Sequence, residues 1–211
     1  LEHRRPVICF DADPNNHSLA RIAALKANQI NLFDPETGEV SVKEIDRLLH
    51  AAATEPGNVV IDGGASTFQP LADYLIRINA PGILAECGRD MLVHTVIVGG
   101  SNTEDTMQGA KVLLEQMPEP ARFVIWLNDY FGPASKGGLI FEETALFAEN
   151  RNRIAGIIRL KQLGRFFVND IIAMLDARQT YAEAIKGNFL IQAQRLIQVR
   201  RSVWDQLVHV I

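Results

Sequence analysis

Five short apolar runs constrain this chain more than anything else in it. They are Val7–Phe10, Asn58–Ile61, Leu92–Val98, Phe123–Leu127 and Ile154–Leu160. Apolar residues fill both parities of these runs, so they lack the alternation of a strand with one wet face. Each reads as a strand covered on both sides. The first is fully buried on this reading, and so is Asn58–Ile61; His94, inside Leu92–Val98, is a hydrogen-bonded core residue. Gln29–Phe33 and Pro81–Cys87 read as further strands, the former weaker and closed by the turn signal Asp34-Pro35.

Helical spacing occupies the intervals. Ser41-x-x-Glu44 opens a helix running to Ala53, and Ser66-x-x-Gln69 caps one with Phe68, Leu71, Leu75 and Ile78 on one side. Ser101-x-x-Glu104 caps a third, with Met107, Ala110, Leu114 and Met117 in register. A loop rich in Gly, Pro and Ser follows at 129–138, then a short helix near 141–149. The end is helical: Phe166–Ala177, Thr180–Lys186, and Phe189 to about Val208. Strands joined by helices are right-handed parallel crossovers. The expected fold is therefore α/β: an open, mostly parallel sheet with helices on both faces and a helical C-terminal region. It forms one domain over residues 1–211, with a sheet core at 1–160 and C-terminal helices at 161–211.

With 211 residues, 47% of them hydrophobic, 22% charged and a net charge of −4, the chain has the balance of a soluble globular protein. That charge gives no whole-chain attraction to nucleic acid or anionic membrane. No apolar run approaches the ~20 residues of a bilayer span, and no signal-peptide pattern precedes the first strand; a cytoplasmic protein is expected. Cys9 and Cys87, the two cysteines, read as small buried hydrophobes in a reducing compartment.

In open parallel sheets, ligands bind beyond the carboxyl ends of the strands. Those ends carry Asp11 and Asp13, then Asp62, Gly63 and Gly64, then Gly99 and Gly100, then Asn128 and Asp129. Three carboxylates on two strands suit a hard cation such as Mg²⁺ with its waters, and Asp13 can orient an attacking water. Gly63 and Gly64 let backbone approach a phosphate. The Asn128 amide, donor and acceptor at once, can read a base edge. Phosphoryl transfer from a nucleoside triphosphate is the chemistry these parts suggest. Each also has an ordinary structural use: Asp13-Pro14 is a good turn, and paired glycines commonly make turns.

The stretch from Phe10 to Asn15, FDADPN, resembles the D-x-D-P segment of the deviant P-loop ATPases that include ParA and MinD. VVIDGGAS, residues 59–66, is similar to their Walker B strand and following switch, and FVIWLNDYFGP, residues 123–133, to their adenine-side strand. From Pro6 onward, LADYLI, HTVIVGG, FVIWLN followed by GP, and a late VRR resemble the TraL-type conjugal transfer proteins of bacterial plasmids. Asn15 departs from the Gln usual after this Pro in ParA-type proteins. The resemblance implies an ATPase using ATP and Mg²⁺, working as a homodimer with conjugation or type IV secretion machinery. By position, Asp13 and, in its support, Asp11 are catalytic; Asp62 is the Walker B acid, with Asp13 reaching the metal through water; Asn128 contacts adenine. Two alternatives stay open. One is an ATPase-inactive docking component of a conjugation complex; the other is a plasmid-partition ParA-type ATPase.

Nothing in the chain fits G-x-x-x-x-G-K-[ST]. Gly132 and Gly137 have the right spacing, but Gly138 and Leu139 stand where Lys and Ser or Thr belong. The expectation is that a first strand and P-loop precede Val7, and that these 211 residues alone bind ATP weakly without hydrolysing it. In the last helix, Phe189, Ala193, Leu196, Ile197, Val203, Trp204 and Leu207 form an apolar stripe, with Arg195, Arg200 and Arg201 off it. A core-packing helix with a solvated basic face is the expected arrangement, and direct DNA contact by those arginines is left open.

Overall fold

The computed structural model describes residues 6–210. Six parallel strands form two three-stranded sheets. In the first, β1 (Val7–Asp11) lies between β2 (Asn28–Gln29) and β3 (Asn58–Asp62). In the second, β5 (Arg122–Asn128) lies between β4 (Leu92–Val98) and β8 (Ile154–Leu160). A small antiparallel hairpin, β6 (Ser135–Lys136) with β7 (Leu139–Ile140), rises from the loop after β5. The α/β class and parallel pairing match the expectation. The single open sheet does not: β3 pairs with β1, β4 pairs with β5, and no backbone pairing joins β3 to β4 among the described residues.

The helices are α1 (Val42–Thr54), α2 (Ala65–Arg77), α3 (Ala80–Glu86), α4 (Thr103–Gln116), α5 (Ala145–Asn150), α6 (Arg165–Asp176), α7 (Tyr181–Gly187) and α8 (Leu190–Leu207). Ile45 and Leu48 of α1 seal Phe10 of β1 and Ala12 just after it. Met107, Ala110, Leu113 and Leu114 of α4 pack with Ile97, Phe123, Ile125 and Leu127. One helix serves both sheets: Leu71 and Tyr74 of α2 join the first cluster, Ala72, Leu75 and Ile76 the second. α8 reaches the far face, where Val210 sits against Gly156 of β8 so closely that a Cβ there would collide.

Several local expectations change. Pro81–Cys87 is helix, not strand: Pro81 sits in the first turn of α3, where its missing N–H costs nothing. So short an apolar run does not distinguish the two by period. In place of the expected strand Gln29–Phe33 there is a two-residue strand, Asn28–Gln29, and an isolated bridge from Phe33 to Val40. Ser66 lies inside α2, whose N-cap is Gly64, and Asn102 rather than Ser101 caps α4 after a 3₁₀ turn. β1 and β3 are not fully buried, since Val7 is 55% and Val60 45% exposed. His94 is exposed too, accepting at Nδ1 a hydrogen bond from Trp126 Nε1 at 3.0 Å. Cys87 is exposed and Cys9 half-buried.

The α8 stripe is partly as expected, with Ala193 and Leu196 buried, but Phe189 and Trp204 are exposed, and Val199, outside the expected stripe, is buried. Arg195 leaves the basic face to make a two-pronged ion pair with Asp170, tying α8 to α6 and holding that carboxyl below its ordinary range. Among the described residues no helix is long and apolar enough to cross a membrane.

Candidate functional site

Pairing of β1 with β3 sets Asp11 directly opposite Asp62. The chain then turns: Ala12 N–H donates to the Asp62 carbonyl at 2.8 Å, carrying Asp13 across toward the start of α2. There the Asp13 carboxylate lies against Gly64, where a Cβ would stand 2.5 Å from Asp13 Cγ. Only glycine permits that approach, which brings a negative group to a helix N-terminus, where the dipole favours it.

The three carboxylates have distinct environments. Asp11 is wholly buried and spent on structure. Its Oδ1 accepts from Asp13 N–H at 3.2 Å and its Oδ2 from Ala20 N–H at 2.8 Å, so it anchors both ends of the 12–20 loop. Asp13 is held ionised below the ordinary carboxylate range, first by the Asn15 N–H at 2.9 Å and then by the Asn16 side chain at 3.1 Å. Asp62 is pushed the other way. Burial raises it first, and the charges of Asp11 and Asp13 raise it further. A carboxyl so placed gains from any cation that arrives. No three His, Cys, Asp or Glu side chains among the described residues are arranged to grip a metal directly. The oxygen donors suit a hydrated ion held partly through its waters.

Around this pair lie further polar groups, among them Asn15 and Ser66, which the sequence offered only as a departure from a motif and as a cap. Asn15 Nδ2 reaches Ser66 Oγ at 3.5 Å, linking the β1 turn to α2. Thr67 is buried and donates to the Gly64 carbonyl at 2.9 Å. His17 adopts a left-handed backbone, with Nδ1 buried, 3.9 Å from Asp11 Oδ1 and without a hydrogen-bond partner. It borders a cavity of about 310 Å³ with Pro14, Gln29, Ile30 and Asn31. No spacing in the sequence relates residue 17 to residues 29–31; only the β1–β2 pairing does.

The rim of the second sheet is more committed. Asn128 Oδ1 accepts from Tyr130 N–H at 3.1 Å and caps the turn Asp129–Phe131, leaving its amide nitrogen for other use. Asp129 accepts from Ala134 N–H at 2.9 Å and faces Arg159, which also holds Glu142 at 2.8 Å. Gly99 is glycine because its backbone presses on Gly132. Asp11, Asp13, Asp62, Gly63 and Gly64 thus share one neighbourhood, while Asn128 belongs to the other sheet.

Two proteins of Escherichia coli, each named Protein TraL, are similar to this chain along nearly all of it. One is 34% and the other 36% identical over 203 residues, covering 95% of this chain and 83% of each relative. No family model matches the chain, and no solved structure does. With that identity sustained over that length, the chain belongs to the TraL family.

Proposed function

We propose that this chain carries the carboxylate side of an ATP–Mg²⁺ site in a ParA/MinD-like protein serving plasmid conjugal transfer. The observation that carries this reading is the approach of Asp13 and Asp62 at the start of α2, with Asp62 raised by burial and then by the charges of Asp11 and Asp13. Asp62 and Asp13 would hold the magnesium, which when bound neutralises phosphate charge. Asp13, kept ionised by the Asn15 and Asn16 N–H groups, accepts a hydrogen bond from a water and orients it. Asp11 positions Asp13 and touches no ligand. Gly63 and Gly64 leave space for a phosphate oxygen, and the unspent Asn128 amide nitrogen donates to a base. The phosphate-cradling loop and its cation come from residues outside these 211, and a homodimer closes the site.

Titration of Mg²⁺–ATP into the full-length gene product tests this. Micromolar binding, lost in Asp62→Asn and Asp13→Ala, is expected. Equal affinity in the wild type and both variants contradicts it.

A second reading, a docking component of the conjugation machinery, draws on the C-terminal helices. Phe166 is 73%, Phe189 87% and Leu190 76% exposed. Copurification of transfer proteins that is lost in Phe189→Ser, with no Mg²⁺–ATP binding at any concentration, favours it.

A further inference from the structure

β8 is an outer strand of the second sheet, and a side chain of α8 occupies its free edge. Arg159 lies opposite Leu127 of β5, but its own N–H and C=O turn away from β5. Gln206 stands there, where a further strand would lie. Its Oε1 accepts from the Arg159 N–H at 2.8 Å and its Nε2 donates to the Arg159 carbonyl at 3.2 Å. The amide nitrogen carries a second hydrogen, and Nε2 also donates to the Ser202 carbonyl at 2.7 Å, which fixes the side chain on its own helix.

The Arg159 side chain serves another region. Its Nη1 lies 3.5 Å from Asp129 Oδ2, and its Nη2 donates to Glu142 Oε1 at 2.8 Å. Asp129 is the first residue after β5, and Glu142 follows the hairpin β6–β7. One guanidinium therefore staples the two ends of the rim loop 129–142. Ala134, buried in the core of the second sheet, pins the middle, while Tyr130, Phe131, Leu139 and Ile140 are exposed. The staple is conditional. Two carboxylates share one cation, and Glu142 Oε2 is buried without a hydrogen-bond partner. A buried carboxylate is costly unless its cation stays beside it. Once Arg159 shifts, Glu142 is better placed in water, so the loop has two arrangements, stapled and released.

α8 is the element able to shift Arg159. The three C-terminal helices pack around Met174, Ala184 and Leu196, with Ile171, Tyr181 and Ile185, and none of these belongs to the core of either sheet. They meet β8 through the Gln206 amide and through Val210 against Gly156. A neutral clasp of this kind opens at small net cost, because water replaces its hydrogen bonds.

We propose that Gln206 and Arg159 form a latch between the C-terminal helices and the rim. With α8 seated on β8, Gln206 holds the Arg159 backbone and the guanidinium staples loop 129–142. When α8 lifts, the staple opens and the loop beside Asn128 is released. Nothing in this depends on nucleotide binding.

Amide exchange on the full-length gene product, with no nucleotide present, tests the latch. The probe is the Ala134 N–H, which donates to Asp129 Oδ1 at 2.9 Å. Gln206→Met keeps the length of the side chain and loses both bonds to Arg159. Exchange at Ala134 is expected to rise at least about tenfold, with Ile97 and Ile125 of the second sheet unchanged. Arg159→Met is expected to give the same rise. In the double variant, Gln206→Met adds less than about twofold, because the route through Arg159 is already cut. An unchanged Ala134 in Gln206→Met overturns the proposal. An equal rise at Ile97 and Ile125 also overturns it, since that marks general loosening, and so does a double variant in which the two effects multiply in full. If Gln206→Met does not fold, Gln206→Glu, which keeps the acceptor and loses the donor, takes its place with the same outcomes decisive.

Discussion

In β5, Phe123, Val124, Ile125 and Leu127 are completely buried, whereas β1 and β3 leave Val7 and Val60 half in water. The second sheet is bolted together by Arg153, which donates to the carbonyls of Leu114, Met117, Pro118 and Ala121 and lies over the Phe123 ring. Among the described residues the first sheet has no such clamp. Its polar effort goes into a loop, through Asp11 and Asp13, and into one further carboxylate, Asp62, whose charge burial and its two acidic neighbours disfavour. The contrast teaches where to look for chemistry. The sheet whose rim is tied up in its own hydrogen bonds supplies rigidity, and the sheet with unspent charge carries the candidate site.

The largest effect that breaks this contrast is Arg153→Met. The carbonyls of Leu114, Met117 and Ala121, in and beyond the last turn of α4, lose the Arg153 donor, and a loss of about 3 kcal/mol is expected by denaturant unfolding. Asp11→Ala strips the acceptor from the Asp13 and Ala20 amides in a buried place, so a loss of about 2 kcal/mol is expected. Its NMR signature is disorder of residues 12–20 with the second sheet unchanged. Gly64→Ala forces the Asp13 carboxylate aside at a cost of about 1 kcal/mol, while Mg²⁺–ATP binding falls far more than stability does.

The smallest effect has the opposite sign. Asp62 has a folded pKa above its unfolded one, so the stability it contributes is fully present below the ordinary carboxylate pKa and is lost as pH rises through the raised value. Asp62→Asn removes that loss. The variant is expected to match wild type at acid pH and to exceed it at neutral pH, by no more than about 1 kcal/mol after solvent screening. A residue that weakens the fold yet is needed for ligand is the mark of a site. A destabilised Asp62→Asn at pH 7 contradicts that role.

The strands of the second sheet were legible because both their faces are apolar, and Leu92–Val98 and Ile154–Leu160 appear with the ends read from the residues. The convergence of Asp11 and Asp62 was legible too, since both end apolar runs that pair in parallel. What escaped depends on contacts distant in sequence. Seven residues from Ala80 to Glu86 are too few to show a helical period, and tertiary packing decided them. Ser66 and Ser101 fit a capping pattern that the backbone does not use. The open edges of β3 and β4 follow from sheet order, which no local pattern encodes.

Mn²⁺–ATP added to the isotope-labelled full-length gene product tests most directly the claim that the chemistry sits on the first sheet. Paramagnetic broadening is predicted for the amides of residues 11–16 and 62–66, and it should vanish in Asp62→Asn. Sharp, unshifted signals from both segments at saturating Mn²⁺–ATP would contradict the account.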